Sequence, residues 1–342
     1  MLTLLLIITS RSKILFFFSL ISGLVISISS SSWLIIWVGL EINLLSFIPL
    51  ISSPSNQYKS ETGLKYFLVQ ALGSSSILVG LLSVSYHSYS SDFIITSALL
   101  VKIGGAPFHF WFIEVIAQLN WLQIIILNTF QKIAPITLVS YVTQTIFSQS
   151  IVTISIVLSA FLGAVGGFNQ RVLSKIIAYS SLRHIAWILQ RILISFYLWL
   201  LYFRVYCILV SSICLTFYVL KLKHLNQFIN KAEGNILTKI IIAFPLISLA
   251  GLPPFSGFIT KIMVISHLIR HTHIFITAVL IISSLLGLFF YFRIFLNSLI
   301  LSSDKKKSSI ISITLEGSYK LNITLYFNFF ILLFPRLVLI LL

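Results

Sequence analysis

A lysine inside an apolar run is the most chemically telling residue in this sequence. Lys102 stands in Leu99-Leu-Val-Lys-Ile-Gly-Gly-Ala-Pro-Phe-His-Phe-Trp111. At bilayer depth an ammonium is expensive, and such groups mark ion or proton pathways. Gly104, Gly105 and Pro107 follow at once and would weaken or break a helix. His109 adds a group that titrates near neutral pH. Lys132, in Gln131-Lys-Ile-Ala-Pro135, lies midway along another apolar run, too deep to snorkel easily to either surface. Lys261 closes Gly251-Leu-Pro-Pro-Phe-Ser-Gly-Phe-Ile-Thr-Lys261, where prolines again interrupt helical hydrogen bonding.

Two further groups belong with these lysines. Glu41, in Trp37-Val-Gly-Leu-Glu41, is a carboxylate that must be protonated or paired at that depth. It reads either as a structural ion pair or as a titrating group. His184, in Tyr179-Ser-Ser-Leu-Arg-His-Ile-Ala-Trp187, reads as a bridge for protons between lysines or as a hydrogen-bonded packing histidine. Its neighbour Arg183 stays charged everywhere and so needs a partner, a wet cavity or an interfacial position.

The elements that must position these groups are membrane helices. Of the 342 residues 58% are hydrophobic and 9% charged, and the mean hydropathy is +1.07. A soluble domain of this length needs more polar surface than that. Hydropathy divides the chain into about eleven spans, at 12–30, 33–52, 62–86, 92–113, 121–146, 150–168, 172–193, 195–222, 236–268, 273–300 and 322–342. Each must be helical, because open strands leave backbone groups unsatisfied in lipid. Span 236–268 would run ~50 Å as one straight helix, so the Gly251–Pro254 break is expected to interrupt it. Two interrupted spans in corresponding positions point to an inverted-repeat architecture. There is no room for a second domain: 1–342 is one transmembrane domain. Its first repeat is expected at about 12–146, its second at about 150–300, and a C-terminal helix at about 322–342.

The net charge of +16 does not indicate nucleic acid, because the Lys and Arg are dispersed between apolar spans. They fall largely on the N-terminal side, which puts that end on the matrix or cytoplasmic face and the C-terminus opposite. Arg191 and Arg270 are the main charges expected on the other side. Arg11 and Lys13 follow the first apolar stretch instead of preceding it, so residues 12–30 read as a retained span and not a signal peptide.

Cys207 and Cys214 lie ~10 Å apart along one helix, too far for a disulfide, and they cannot ligate an iron–sulfur cluster. No Gly-rich dinucleotide fingerprint or P-loop occurs, so redox chemistry is expected on another chain. Glu61 and Lys65 form an i,i+4 pair at an interface, and Asp92 and Glu114 flank their span. Gly163, Gly166 and Gly167 permit close helix approach. His224, His271 and His273 show no metal pattern, and Lys305–Lys307 read as a solvated loop.

Taken in order, these motifs resemble one family closely: subunit 2 of mitochondrial NADH:ubiquinone oxidoreductase (respiratory complex I), animal type, an antiporter-like membrane subunit. The resemblance also includes Glu61-x3-Lys65-Tyr-Phe and Gly163-Ala-x-Gly-Gly-x-Asn-Gln170. It covers nearly the whole chain, fading in the first ten residues and after about residue 300. It implies an all-α polytopic fold with antiporter-like inverted repeats and two broken helices. By position, Glu41 matches the family's channel glutamate and Lys102 its partner. Lys132 matches the central lysine, Lys261 the lysine on the second broken helix, and His184 a histidine near the central axis.

The resemblance further implies proton translocation across the mitochondrial inner membrane, coupled to electron transfer from NADH to ubiquinone. The N-terminus would lie in the matrix and the C-terminus in the intermembrane space. Partners would be the lipid bilayer and other membrane-arm subunits of a hetero-oligomer. No cofactor is expected on this chain; NADH, FMN, iron–sulfur clusters and ubiquinone belong to other subunits. Alternatives are a subunit of a monovalent cation/proton antiporter, or a structural subunit that does not pump. Arg183 departs from the family, where small or neutral polar residues are usual, and a fixed charge there would disfavour protonation of His184.

Overall fold

A computed structural model describes residues 11–52, 57–83, 88–225, 227, 244–253, 255–270 and 273–300. The expected C-terminal helix at 322–342, the Lys305–Lys307 run, residues 236–243 of the ninth expected span and Pro254 lie outside them. All named elements are helical: α1 (Arg11–Ser29), α2 (Trp33–Ile51), α3 (Gln57–Ser83), α4 (Ser88–Ile103), α5 (Phe110–Gln118), α6 (Trp121–Asn128), α7 (Phe130–Val142), α8 (Ile146–Val165), α9 (Leu173–Ile192), α10 (Phe196–Val219), α11 (Ser256–Arg270) and α12 (Ile274–Ile300). Seven stretches among the described residues are long and apolar enough to cross a bilayer. Large apolar side chains such as Leu15, Phe18, Leu72 and Phe161 stand exposed along them, which suits lipid-facing surfaces. The chain divides into two compact units, Met1–Ser159 and Ala160–Leu342.

In the first unit α1 and α2 approach backbone to backbone. A β-carbon on Gly23 would meet the Asn43 nitrogen at 2.8 Å, and one on Gly39 would meet the Ser27 nitrogen at 2.7 Å. Small residues at such crossings replace side-chain packing with close van der Waals contact. The most enclosed span is Trp121–Val142, with 72% of its apolar window buried, against 28% for Ser12–Ser29.

The expected span 121–146 is helical over Trp121–Val142 but bends within it. It ends α6 at Asn128, turns at Thr129 (φ −109°, ψ −79°) and restarts as α7. The cause is local. Asn128 Nδ2 donates to the Ile124 carbonyl at 3.1 Å and Thr129 Oγ1 to the Ile125 carbonyl at 2.7 Å. Side chains that bond back to the preceding turn bend helices. Pro135, inside α7, also has no N–H to offer the carbonyl of Gln131.

In the second unit α9 is buried almost all round, with only Lys175 and Tyr179 partly accessible. A helix enclosed on every side is normally apolar throughout. This one carries Ser180, Ser181, Arg183, His184, Gln190 and Arg191 inward, which is how functional helices in membrane bundles depart from the rule. Gly163 packs against the same helix, since a β-carbon there would meet the Arg183 nitrogen at 2.7 Å.

Candidate functional site

Lys102 occupies the last turn of α4. The helix stops because Gly104 takes φ +74°, and its N–H and that of Gly105 both return to the Leu100 carbonyl at 3.0 Å. This left-handed cap is the usual way to end a helix. It leaves an ammonium beside the negative end of the helix dipole. The stem of Lys102 packs on Gly73 of α3, whose β-carbon would lie 3.0 Å from Lys102 Cγ. Gln70, one turn before, donates to the Lys102 carbonyl at 3.2 Å. His109, just past the break, places Nδ1 3.2 Å from the Pro107 carbonyl. Donation there leaves Nε2 as the ring's acceptor when the imidazole is neutral.

Glu41 on α2 is half-buried and close enough to act electrostatically on Lys102. The two do not form an ion pair: among the described residues, the ion pairs join Lys65 to Glu61 and to Glu114, each at 3.1 Å. The expected Glu61–Lys65 pair therefore gains a second carboxylate from α5, one the sequence gave no reason to connect to it.

Lys132 sits in the first turn of α7, 2% exposed. Its Nζ donates to Asn128 Oδ1 at 3.1 Å across the bend and lies 4.3 Å from the centre of the Phe112 ring. An amide oxygen and an aromatic face both suit an ammonium. Asn128 and Lys132 are four residues apart, so they share one face of the span and stay in contact across the bend at Thr129.

In the second unit, helical residues 244–250 end at Gly251, with φ +81°, and its N–H returns to the Ile247 and Ser248 carbonyls. Lys261 on α11 reaches back to that carbonyl end, donating from Nζ to the Ala250 oxygen at 2.6 Å. It lies 5.9 Å from the Trp187 ring centre. His184 pairs its Nδ1 with the Tyr202 hydroxyl at 2.8 Å. It also lines a cavity of about 10 Å³ with Tyr206, Ser248 and Thr260, roughly the space one water needs.

Two arginines complete this unit. Arg191 was expected among the loop charges, yet it is fully buried in the last turn of α9. It donates to the Leu198 carbonyl at 2.6 Å and to the Thr260 carbonyl, so it ties α10 and α11 to α9. The hydropathy window placed it at a span boundary, and only the packing shows that this boundary is interior. Arg183 is also fully buried, with its guanidinium carbon 5.2 Å from the Phe290 ring centre and 5.3 Å from that of Tyr291. Of its possible supports, an interfacial position is thereby removed.

Sequence reasoning also missed the amides and phenol that serve the lysines. Tyr66 on α3 donates to Gln131 Oε1 at 3.0 Å, and Gln131 Nε2 donates to Asn43 Oδ1 on α2 at 2.9 Å. Uncharged polar residues inside apolar spans are the signal that points to them. Among the described residues, no group of three or more His, Cys, Asp or Glu is placed to hold a metal ion.

A family model described as NADH:quinone oxidoreductase/Mrp antiporter, TM, matches residues 30–93 and 83–287. NADH-ubiquinone oxidoreductase chain 2 of Anopheles gambiae is 40% identical over 327 residues, covering 93% of this chain and 94% of that one. The protein of the same name from Aedes aegypti is 40% identical over 325 residues, covering 92% and 94%. Among solved structures, respiratory complex I from Thermus thermophilus with bound aureothin aligns with a TM-score of 0.83. It shares 18% identity and covers 96% of this chain and 80% of the matched one. The Mrp complex from Dietzia sp. aligns at 0.71 with 17% identity, covering 82% and 59%.

Proposed function

This chain belongs to the NADH:quinone oxidoreductase/Mrp antiporter transmembrane family, and from that premise we propose that it pumps protons as subunit 2 of a mitochondrial complex I. As a multi-pass membrane-arm subunit it works beside other subunits of a hetero-oligomer. Electron transfer from NADH to ubiquinone takes place on those other subunits. Here the energy is spent on moving protons across the mitochondrial inner membrane. The proposed architecture has about eleven spans. Inverted repeats run over about 12–146 and 150–300, with a second interrupted span at 236–268 and a helix at 322–342. The N-terminus faces the matrix and the C-terminus the intermembrane space.

In this mechanism Glu41 and Lys102 respond first to quinone reduction elsewhere in the complex. A change in their electrostatic contact moves a proton towards Lys132. Lys261 controls the exit, and His184 lies on the path or packs beside it. Each tenfold change in proton affinity corresponds to about 1.4 kcal/mol, within reach of one altered ion contact. The observation that carries the reading is Lys132: a lysine buried in the most enclosed of the seven long apolar stretches, its ammonium on an amide oxygen beside a bend.

Replacing it tests the reading. Lys132→Met in an assembled complex is expected to lower the proton-to-electron ratio while NADH oxidation continues. A normal ratio in the intact variant overturns the assignment. Sodium flux measured in the same membranes separates proton pumping from a cation antiport that uses the same groups.

A further inference from the structure

The first unit places one face of α3 against the elements that carry Lys102 and Lys132. Tyr66, Gln70 and Gly73 stand at i, i+4 and i+7, one stripe of a helix. All three are buried. Gly73 receives the Lys102 stem and Gln70 holds the Lys102 carbonyl. Tyr66 holds Gln131, the residue immediately before Lys132, and Gln131 in turn holds Asn43 on α2. The Tyr66 ring packs on Phe47 of α2 and Trp111 of α5, with centroids 5.1 and 6.0 Å away. We propose that this face of α3 is a positioning device for proton transfer, fixing where Lys102 and Lys132 sit, with Tyr66 acting on Lys132 through Gln131.

The chemistry favours positioning over a proton wire. An amide passes a net proton poorly, but its two ends fix orientation. Gln131 Oε1 accepts from Tyr66 while Nε2 donates to Asn43, so the amide is held at both ends. That locks the first turn of α7 just past the bend at Thr129, where neither the α-helical ladder nor Pro135 supplies stiffness. A largely buried hydrogen-bonded chain of this kind restrains the residues it joins.

The inference rests on the proton-pumping reading, and the experiment separates the two. Tyr66→Phe keeps the ring against Phe47 and Trp111 and removes only the hydroxyl. In membranes carrying the assembled complex it is expected to slow proton pumping about fivefold at an unchanged rate of NADH oxidation, the size of one lost hydrogen bond. Gln131→Leu is expected to do the same, and the double variant to lose little more, because both break one chain. Normal pumping in Tyr66→Phe overturns the proposal, and so do losses that simply add in the double variant. Lys132→Met in parallel tells the readings apart: if it abolishes pumping while Tyr66→Phe is normal, only the positioning role falls.

A separate observation concerns positions 183 and 191. The Nε, Nη1 and Nη2 atoms of fully buried Arg183 meet no hydrogen-bond acceptor among the described residues, and a β-carbon on Gly287 would overlap the guanidinium. Nε of fully buried Arg191 is also without an acceptor. A buried guanidinium as bare as that of Arg183 is strongly disfavoured, whereas Arg191 keeps its two carbonyl partners. The chain also holds 2 methionines against 56 isoleucines. Many invertebrate mitochondria read AGA and AGG as serine and AUA as methionine, where the standard table gives arginine and isoleucine. One difference in decoding accounts for both features. Given a mitochondrial chain, the geometry points to serine at 183 in the protein the organelle makes. Ser180 and Ser181 on the same helix already satisfy their hydroxyls on the Ile177 and Ala178 carbonyls, as a serine at 183 would. Chymotryptic peptides of the chain isolated from its native complex, sequenced by mass spectrometry, decide it. Serine at 183 is expected, and arginine there overturns the inference.

Discussion

Each unit stops a helix at a left-handed glycine and puts an ammonium near the carbonyl end it leaves, but the two do so differently. At Gly104 the cation is Lys102, two residues earlier on the same helix, and its ammonium makes no hydrogen bond to another described residue. At Gly251 the cation is Lys261, which folds back from the following helix and donates to the last carbonyl. The surroundings differ as well. Described residues of the first unit include Glu41, Glu61, Asp92 and Glu114, whereas those of the second, from Ala160 onward, include no carboxylate. There the buried cations Lys261, Arg183 and Arg191 rely on carbonyl oxygens and aromatic faces. A lysine held only by a distant carboxylate responds to that charge, while one fixed on a backbone carbonyl responds to helix movement. The first arrangement suits a trigger and the second a gate.

Breaking the helix ends should break the contrast most sharply. Gly251→Ala forces a residue to φ +81° and puts a β-carbon 2.7 Å from Lys261 Nζ. It should both cost about 1–3 kcal/mol in strain and displace the lysine, so heat stability and pumping fall together. Gly104→Ala suffers the same backbone strain, but its β-carbon meets Phe112, not Lys102. Its stability should fall while pumping per assembled complex survives better. Equal pumping losses in the two variants would erase the distinction between trigger and gate.

A smaller effect of opposite sign is expected at 183. Between two complexes assembled with arginine or with serine at this position, Arg183→Ser should raise stability by about 1–3 kcal/mol, read as a higher midpoint for thermal inactivation of the detergent-solubilised complex. A lower midpoint would mean that Arg183 has an anionic partner supplied from elsewhere in the assembly. The smallest effect belongs to Lys65→Gln. Its pairs with Glu61 and Glu114 are exposed, where solvent and salt screen the attraction. Pumping and stability should stay within error of the parent, and a marked loss in either would show that the α3–α5 link carries more than a surface pair does.

Much of the site was legible from residue type alone. Lys102, Lys132 and Lys261 stood out because a lysine in an apolar span has few innocent explanations, and all three are buried. Residue type marked Glu41 as a carboxylate in need of a proton or a cation, and only the family resemblance named Lys102 as its partner; the two do not reach ion-pair distance. The bend at Thr129 escaped because Asn128 and Thr129 are individually compatible with a helix. Their effect depends on which carbonyls the side chains choose. Arg191 escaped because a residue near a span's end looks interfacial until the neighbouring helices cover it.

The sequence by itself determined the membrane setting, the helical class, the breaks at Gly104 and Gly251, and the lysines, because each follows from local costs: desolvation of charge, backbone sterics and missing N–H donors. Only the tertiary structure decided the partners. Phe112 over Lys132, Ala250 beneath Lys261, and the Tyr66–Gln131–Asn43 chain join residues 20, 11 and up to 88 positions apart. Contacts of that kind depend on how helices pack, and no short window of sequence contains the packing.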